Sequence, residues 1–225
     1  SLPIAERCGR INALGDWVID GACRQIRAWM EQGLRMRVAV NLSMQQLRQD
    51  DLVDRIRDAM FRHRIEPGLL TFEVTESVAM EDPVAAQSML DRLARLGVSI
   101  AIDDFGTGHS SLSYLRKLPA KQLKIDRSFV NDLGQSDDAR AVVDAVVRLA
   151  HALDLKVVAE GVETELQRDI LLHLNCDEFQ GYLFAKPMSA MAMTLWAMDD
   201  DGPAPLGFRD SLYGELNSPR RTPVL

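Results

Sequence analysis

The stretch Val98-Ser99-Ile100-Ala101-Ile102-Asp103-Asp104-Phe105-Gly106-Thr107-Gly108 decides how this chain is read. A short, mostly apolar run ends abruptly in two adjacent carboxylates and a glycine-bracketed turn. Val98 to Ile102 has the length and composition of a strand covered on both faces, as strands of a parallel sheet are. Asp and Gly are turn formers, so Asp103 to Gly108 also reads as a plain turn. That reading is weakened by the paired aspartates, which repel each other unless a cation sits between them.

Outward from this stretch, short apolar runs alternate with helical periodicity. Trp17, Val18, Ile19, Ala22, Ile26 and Trp29 recur near helical spacing and predict an amphipathic helix from Leu14 to Met30. Strands are expected at Met36 to Val40, Leu70 to Val74, Val98 to Ile102, Leu123 to Ile125 and Leu155 to Ala159. A short one near Phe179 to Leu183 would make six. Helices are expected at Leu52 to Phe61, Val84 to Leu96, Leu112 to Leu118, Ala139 to Leu153, Glu165 to Leu174 and Ala190 to Trp196. Strands alternating with helices indicate βαβ units and an α/β fold on a parallel sheet. A closed barrel of this kind needs eight strands, so the count falls short. After Trp196 the composition shifts to Asp199-Asp200-Asp201-Gly202 and later Pro219-Arg220-Arg221. Residues 1–198 therefore read as the domain and 199–225 as a C-terminal appendage or linker.

The chain has 225 residues, 47% hydrophobic and 26% charged, which suits one globular domain with a sizeable core. Its net charge of −7 leaves no Lys/Arg field to hold a polyanion, so a nucleic-acid polymer is excluded as a partner. No apolar run approaches the roughly 20 residues of a membrane span, and no signal-peptide layout opens the chain, so no membrane contact by this domain is expected. Cys8, Cys23 and Cys176 are too scattered for a metal pair or a disulfide framework. They fit a reducing, cytoplasmic setting, although a parent protein could be membrane-anchored.

Polar residues fall where the apolar strands end. Asn41 closes Val38-Ala39-Val40, Glu73 and Glu76 follow Leu70 to Phe72, and Asp103 and Asp104 close Ile100-Ala101-Ile102. Asp126 follows Leu123 to Ile125, which carries Lys124, and Glu160 closes Val157-Val158-Ala159. Each has an ordinary explanation alone. Asn41-Leu42-Ser43 could cap a helix, Glu73 and Glu76 could sit in a first helical turn, Lys124 and Asp126 could be a structural ion pair, and Glu160-Gly161 could be a turn. Five consecutive strands delivering polar groups to one rim point instead to a site, because the C-terminal strand ends form the active face of an α/β barrel.

The donors Asn41, Glu73, Asp103, Asp104 and Glu160 are hard oxygens, which suit Mg²⁺ or Mn²⁺ rather than zinc. Several carboxylates and one amide can hold two such ions about 3.5–4 Å apart, the arrangement that serves in-line displacement on a phosphodiester. Lys124, held by Asp126, would steer the attacking water or offset developing phosphate charge. Phe105, Gly106, Thr107 and Gly108 form a candidate gating loop, which Glu76 is placed to tether through backbone amides.

These residues resemble the EAL-type cyclic di-GMP phosphodiesterases from about Leu2 to Met198. Leu2-Pro3-Ile4-Ala5-Glu6 resembles the segment before the family's first helix, and Val40-Asn41-Leu42-Ser43 its metal-binding Asn-x-Ser motif. Glu73-Val74-Thr75-Glu76, Asp103 to Gly108, Leu123-Lys124-Ile125-Asp126 and Ala159-Glu160-Gly161-Val162-Glu163-Thr164 follow in family order. The last implies a supporting role for Glu163. Gln180-Gly181-Tyr182 with Phe184 and Pro187 resembles the motif lining the substrate site. His109 stands where the family more often has Tyr, and Asn175 where it usually has Gly, a position that tolerates positive φ.

The resemblance implies a TIM-like (β/α)8 barrel with one antiparallel strand. It further implies hydrolysis of cyclic di-GMP to linear pGpG with two Mg²⁺ or Mn²⁺ ions. The family's Glu-x-Leu strand, with a ligand Glu and a phosphate-contacting Arg, is not in this chain, which is expected to be an excerpt with that N-terminal strand upstream. A homodimer through barrel helices and an upstream regulatory or cyclase domain are the implied partners. Two alternatives stay open: a catalytically inactive cyclic di-GMP receptor acting through a partner, and a different phosphate-handling barrel enzyme.

Overall fold

The structure, a computed structural model, describes residues 4–106, 112–183 and 220–221. Its first element, α1 (Ile4–Glu31), buries Ile19, Ala22, Cys23, Ile26 and Trp29, the i, i+3, i+4 recurrence of an amphipathic face. Trp17, assigned to that face by its spacing, is 68% exposed. It precedes Ile19 by two residues, roughly 200° at helical pitch, and so looks outward.

Six parallel strands follow: β2 (Val38–Asn41), β3 (Leu70–Thr75), β4 (Ser99–Phe105), β5 (Gln122–Ile125), β6 (Lys156–Ala159) and β7 (Glu178–Phe179). A shorter strand, β1 (Arg35–Met36), pairs in parallel with β8 (Arg220–Arg221). Between the six run α2 (Met44–Leu47), α3 (Leu52–His63), α4 (Glu76–Glu81), α5 (Pro83–Arg95), α6 (Leu112–Leu115), α7 (Arg127–Asn131) and α8 (Asp137–Ala152). The last of the set, α9 (Glu165–His173), precedes β7.

The spatial order equals the chain order, β2-β3-β4-β5-β6-β7. A doubly wound sheet would reverse its order at a switch point, so this progression is that of a barrel wall. Its curvature is visible in one contact: Arg37, beside β2, reaches Glu178 of β7 at 3.4 Å, joining the two ends of the six-strand order. All strand pairings among the described residues are parallel.

Both faces of the wall are dry. Leu70, Phe72, Val74, Ile100, Ile102, Leu123, Val157 and Phe179 are buried, and alternation along β3 vanishes because helices and barrel interior cover opposite faces. Helix starts are locally encoded. Ser43 with Gln46 and Thr164 with Gln167 form capping boxes, and Asp82 caps α5 ahead of Pro83.

Beyond α9, Asn175 takes φ 61, the left-handed geometry anticipated for it. Burial pushes the thiols of Cys23 and Cys176 up to about 12, so both pack as protonated apolar groups. The single-turn helices α2, α4 and α7 escaped periodicity because one turn shows no repeat. The helix expected at Ala190 to Trp196, and Thr107, Gly108, Phe184 and Pro187, lie outside the described residues.

Candidate active site

Parallel register brings the C-terminal strand ends to a common level: Asn41 stands beside Glu73, Thr75 beside Asp103, Phe105 beside Ile125, and Ile125 beside Ala159. At the centre is Lys124, 2% exposed, its Nζ 2.6 Å from Glu160 Oε1 and 2.7 Å from Glu73 Oε1. Asp103 Oδ1 is 3.8 Å away. Burial works against the Lys124 ammonium, yet Glu73, Glu160 and Asp103 outweigh it and raise the pKa above the ordinary lysine value. Lys124 is therefore a fixed cation and a hydrogen-bond donor.

The carboxylates around it are under-neutralised. Burial raises Glu73 and Glu160 despite the opposing pull of Lys124, and Asp103 adds like-charge repulsion to both. Asp104 is also raised, by burial first and then by Asp103 and Asp126. Asp103, Asp104 and Glu160 each present an oxygen within 4.8 Å of the others, a spacing able to hold a metal ion. One lysine cannot balance so many acidic groups, and hard oxygen donors are what Mg²⁺ and Mn²⁺ take. The residues fit a divalent cation.

The adjacent aspartates reach the same rim through a backbone device. Successive side chains of a regular strand point to opposite faces. The β4–β5 register shifts between Ile102 and Phe105, and Asp104 adopts φ 53, a bulge that re-aims the second carboxylate. Asp103 Oδ1 accepts the Asp104 amide at 2.9 Å.

Gly106, at φ 96, donates its amide to Glu76 Oε2 at 3.1 Å. Glu76 stands at the start of α4, where Thr75 is the N-cap, and is 4% exposed. It is thus both the first-turn acid and the partner of the β4 turn. The serine of the Asn41-Leu42-Ser43 motif caps α2, while Asn41 itself is exposed beside Glu73.

The expected hold of Asp126 on Lys124 is corrected by this geometry. β5 ends at Ile125, so strand alternation no longer applies to Asp126. Its carboxylate accepts the Ser128 amide at 2.9 Å, capping α7, and its charge repels Asp104. The Ser128 bonds hold its pKa below the usual carboxylate value.

On the far side of Glu160, the Gln180 amide donates to Ala159 O at 2.8 Å and its carbonyl accepts from Val162 at 2.9 Å. Glu163 is exposed and its amide enters the α9 capping box, donating to Gln167 Oε1 at 2.8 Å. The sequence reading did not single out Phe129, whose ring lies against Gly106. An apolar residue in a one-turn helix carries no chemical signature.

Together these features define an α/β barrel wall with a carboxylate–lysine centre at its C-terminal strand ends. The profile of the EAL domain matches residues 1–187, and the chain belongs to the EAL domain family. It is 51% identical over 190 residues to the bifunctional diguanylate cyclase/cyclic di-GMP phosphodiesterase MucR of Pseudomonas aeruginosa, covering 84% of this chain and 28% of that protein. It is 44% identical over 191 residues to the cyclic di-GMP phosphodiesterase NbdA of the same organism, covering 84% and 24%. The chain thus spans about a quarter of the length of these curated relatives.

Among solved structures, the PaMucR phosphodiesterase in complex with c-di-GMP superposes with TM-score 0.79 at 50% identity, covering 85% of this chain and 78% of that one. The EAL domain of Mycobacterium smegmatis DcpA gives 0.77 at 40% identity, covering 81% and 83%. The fold is accordingly TIM-like α/β. Among the described residues no helix is long and apolar enough to cross a membrane.

Proposed function

We propose that this chain hydrolyses cyclic di-GMP to linear pGpG in a metal-dependent reaction at the Lys124 rim. The observation that carries the reading is the convergence of Asp103, Asp104 and Glu160 within 4.8 Å beside an ammonium bonded to Glu73 and Glu160. Relatives named as cyclic di-GMP phosphodiesterases, at 51% and 44% identity, support the substrate.

In this reading Asn41, Glu73, Asp103, Asp104 and Glu160 hold two Mg²⁺ or Mn²⁺ ions, with Asp126 completing the set through Asp104. Such ions would lower the pKa of a bound water and neutralise the phosphodiester. Lys124, which keeps its proton, donates to the attacking oxygen or to phosphate oxygen and does not act as a base. Glu160 would join that ion set while its other contact, at 2.6 Å, keeps the Lys124 ammonium in place. Glu76 fixes Gly106 and with it the Phe105, Gly106, Thr107, Gly108 segment. Gln180, Phe184 and Pro187 line the dinucleotide, and Glu163 supports the rim. A barrel domain ending near residue 198, paired with a second copy through its helices, cytoplasmic, and fed by an upstream regulatory or cyclase domain completes the proposal.

The test is turnover of cyclic di-GMP with Mg²⁺ or Mn²⁺, followed by chromatography of the product. Linear pGpG is the expected product, and loss of turnover is expected in Glu160→Gln. Binding without cleavage would replace the enzyme with a receptor; neither binding nor cleavage would remove the reading altogether.

A further inference from the structure

We propose that Phe129 is a positioning residue for the β4 turn, acting through Gly106 on the aspartates that precede it. The inference rests on the phosphodiesterase reading only for its catalytic consequence.

The turn from Asp103 to Gly106 is unusual backbone. Two of its residues, Asp104 at φ 53 and Gly106 at φ 96, occupy left-handed conformations on either side of buried Phe105. For Asp104 such a conformation is costly, and it persists only where surrounding structure over-determines it. Part of the support comes from α7. Asp126, the N-cap of α7, lies near enough to Asp104 for its charge to act on it. Three residues on, Phe129 lays its ring edge on Gly106, so close that a Cβ added there would meet ring carbons at 3.0 and 3.1 Å.

The helical turn that begins at Asp126 thus meets the β4 turn with the Phe129 ring on Gly106. Glu76 Oε2 receives the Gly106 amide at 3.1 Å. Gly106 thus meets both a carboxylate from α4 and a ring from α7. The ring is itself anchored: Phe129 packs against the core, and its neighbour Val130 is fully buried.

An aromatic ring suits the task because it has few rotamers and presents a broad edge at low entropic cost. Without it, the Gly106 peptide can rotate off Glu76, and the turn that leads back to Asp104 loses a support. Supporting contacts of this kind typically change metal affinity by about 10–100-fold.

Phe129→Ala and Phe129→Leu are compared with wild type in three measurements. Amide exchange at Gly106 is followed by NMR in the metal-free protein, Mn²⁺ binding by EPR titration, and kcat and KM with cyclic di-GMP. Phe129→Ala should speed Gly106 exchange at least about tenfold while β3 and β5 amides stay protected. It should also raise the Mn²⁺ concentration for half-saturation roughly tenfold and lower kcat more than KM rises. Leu, which fills part of the volume, should fall between. Gly106 exchange equal to wild type in both variants overturns the proposal. Should Ala open the whole sheet, the Leu variant decides by the same comparison. If wild type neither binds Mn²⁺ nor cleaves the dinucleotide, the function reading fails, while the exchange measurement still decides whether Phe129 holds the turn.

Discussion

Arg37 and Glu178 form an ion pair at 3.4 Å although they sit at opposite ends of the six-strand order and 141 residues apart. Glu178 is 3% exposed, and burial raises its pKa against the pull of Arg37 and Lys156. Removing one partner of a buried pair costs more than removing both, because a lone charge stays desolvated. Arg37→Ala should therefore lose about 2–4 kcal/mol, and Glu178→Gln less, about 1 kcal/mol, since Arg37 keeps access to water. Urea midpoints test this. Equal, negligible losses would mean the pair does not help hold the curled sheet.

What the sequence disclosed, and what it concealed, follows from the range of the interactions. The strands Leu70–Thr75 and Gln122–Ile125 and the long helices α3, α5, α8 and α9 were legible because their signal is local. The polar strand ends were legible because in a parallel sheet strand ends share a level. The bulge at Asp104 was not, because two adjacent aspartates look the same in a turn and in a re-aimed strand. The partners of Lys124 were misassigned for a related reason: alternation paired it with Asp126, but the strand stops at Ile125. Phe129 on Gly106 and Arg37 on Glu178 are long-range contacts that leave no local pattern at all.

Stability against pH should run opposite to the usual acid lability. Glu73, Glu160 and Glu178 lie above the ordinary 4.5 and Asp104 above 3.8, with burial the leading cause in each. A carboxylate with a raised folded pKa binds its proton more tightly when folded. Its cost is present at neutral pH and disappears as pH falls through the folded pKa towards the unfolded one. Asp20, lowered by its hydrogen bond to His63, and Asp126, lowered by Ser128, act in the other direction, but only below about 3.8. The metal-free domain should thus melt at a higher temperature at mildly acidic pH than at neutrality, then lose stability in stronger acid. Calorimetry in EDTA checks it. Mn²⁺ should flatten the slope by stabilising the ionised carboxylates.

Gly181 should be intolerant of any side chain. It takes φ 155, and a Cβ there would stand 2.2 Å from Val162 O and 2.3 Å from Val162 N, backbone atoms that cannot swing aside. The same segment carries the Gln180 amide to Ala159 O at 2.8 Å and the Leu183 amide to Val162 O at 3.0 Å. Gly181→Ala should therefore cost roughly 3 kcal/mol or more, with faster amide exchange at Gln180 and Leu183. Full stability in the alanine variant would contradict the close approach.

Lys124 combines the site's electrostatics in one side chain. Lys124→Met removes the only cation bonded to Glu73 and Glu160 among the described residues and leaves a buried and a half-buried carboxylate unpaired. Without metal the variant should be destabilised by about 3 kcal/mol, and Mn²⁺ should recover part of that by supplying the missing charge. Turnover of cyclic di-GMP should fall about 10²–10³-fold in kcat, the loss expected for one preorganised donor at a developing charge, with KM little changed. The raised pKa adds a sharper expectation. Because the ammonium persists past the ordinary lysine value of 10.5, the wild-type pH–rate profile should show no basic limb from Lys124 below that value. An acidic limb should instead move when Glu160, whose carboxyl burial raises, is replaced. A basic limb that vanished in Lys124→Arg would show that the lysine itself gives up its proton, and the assignment of Lys124 as a permanent donor would fail.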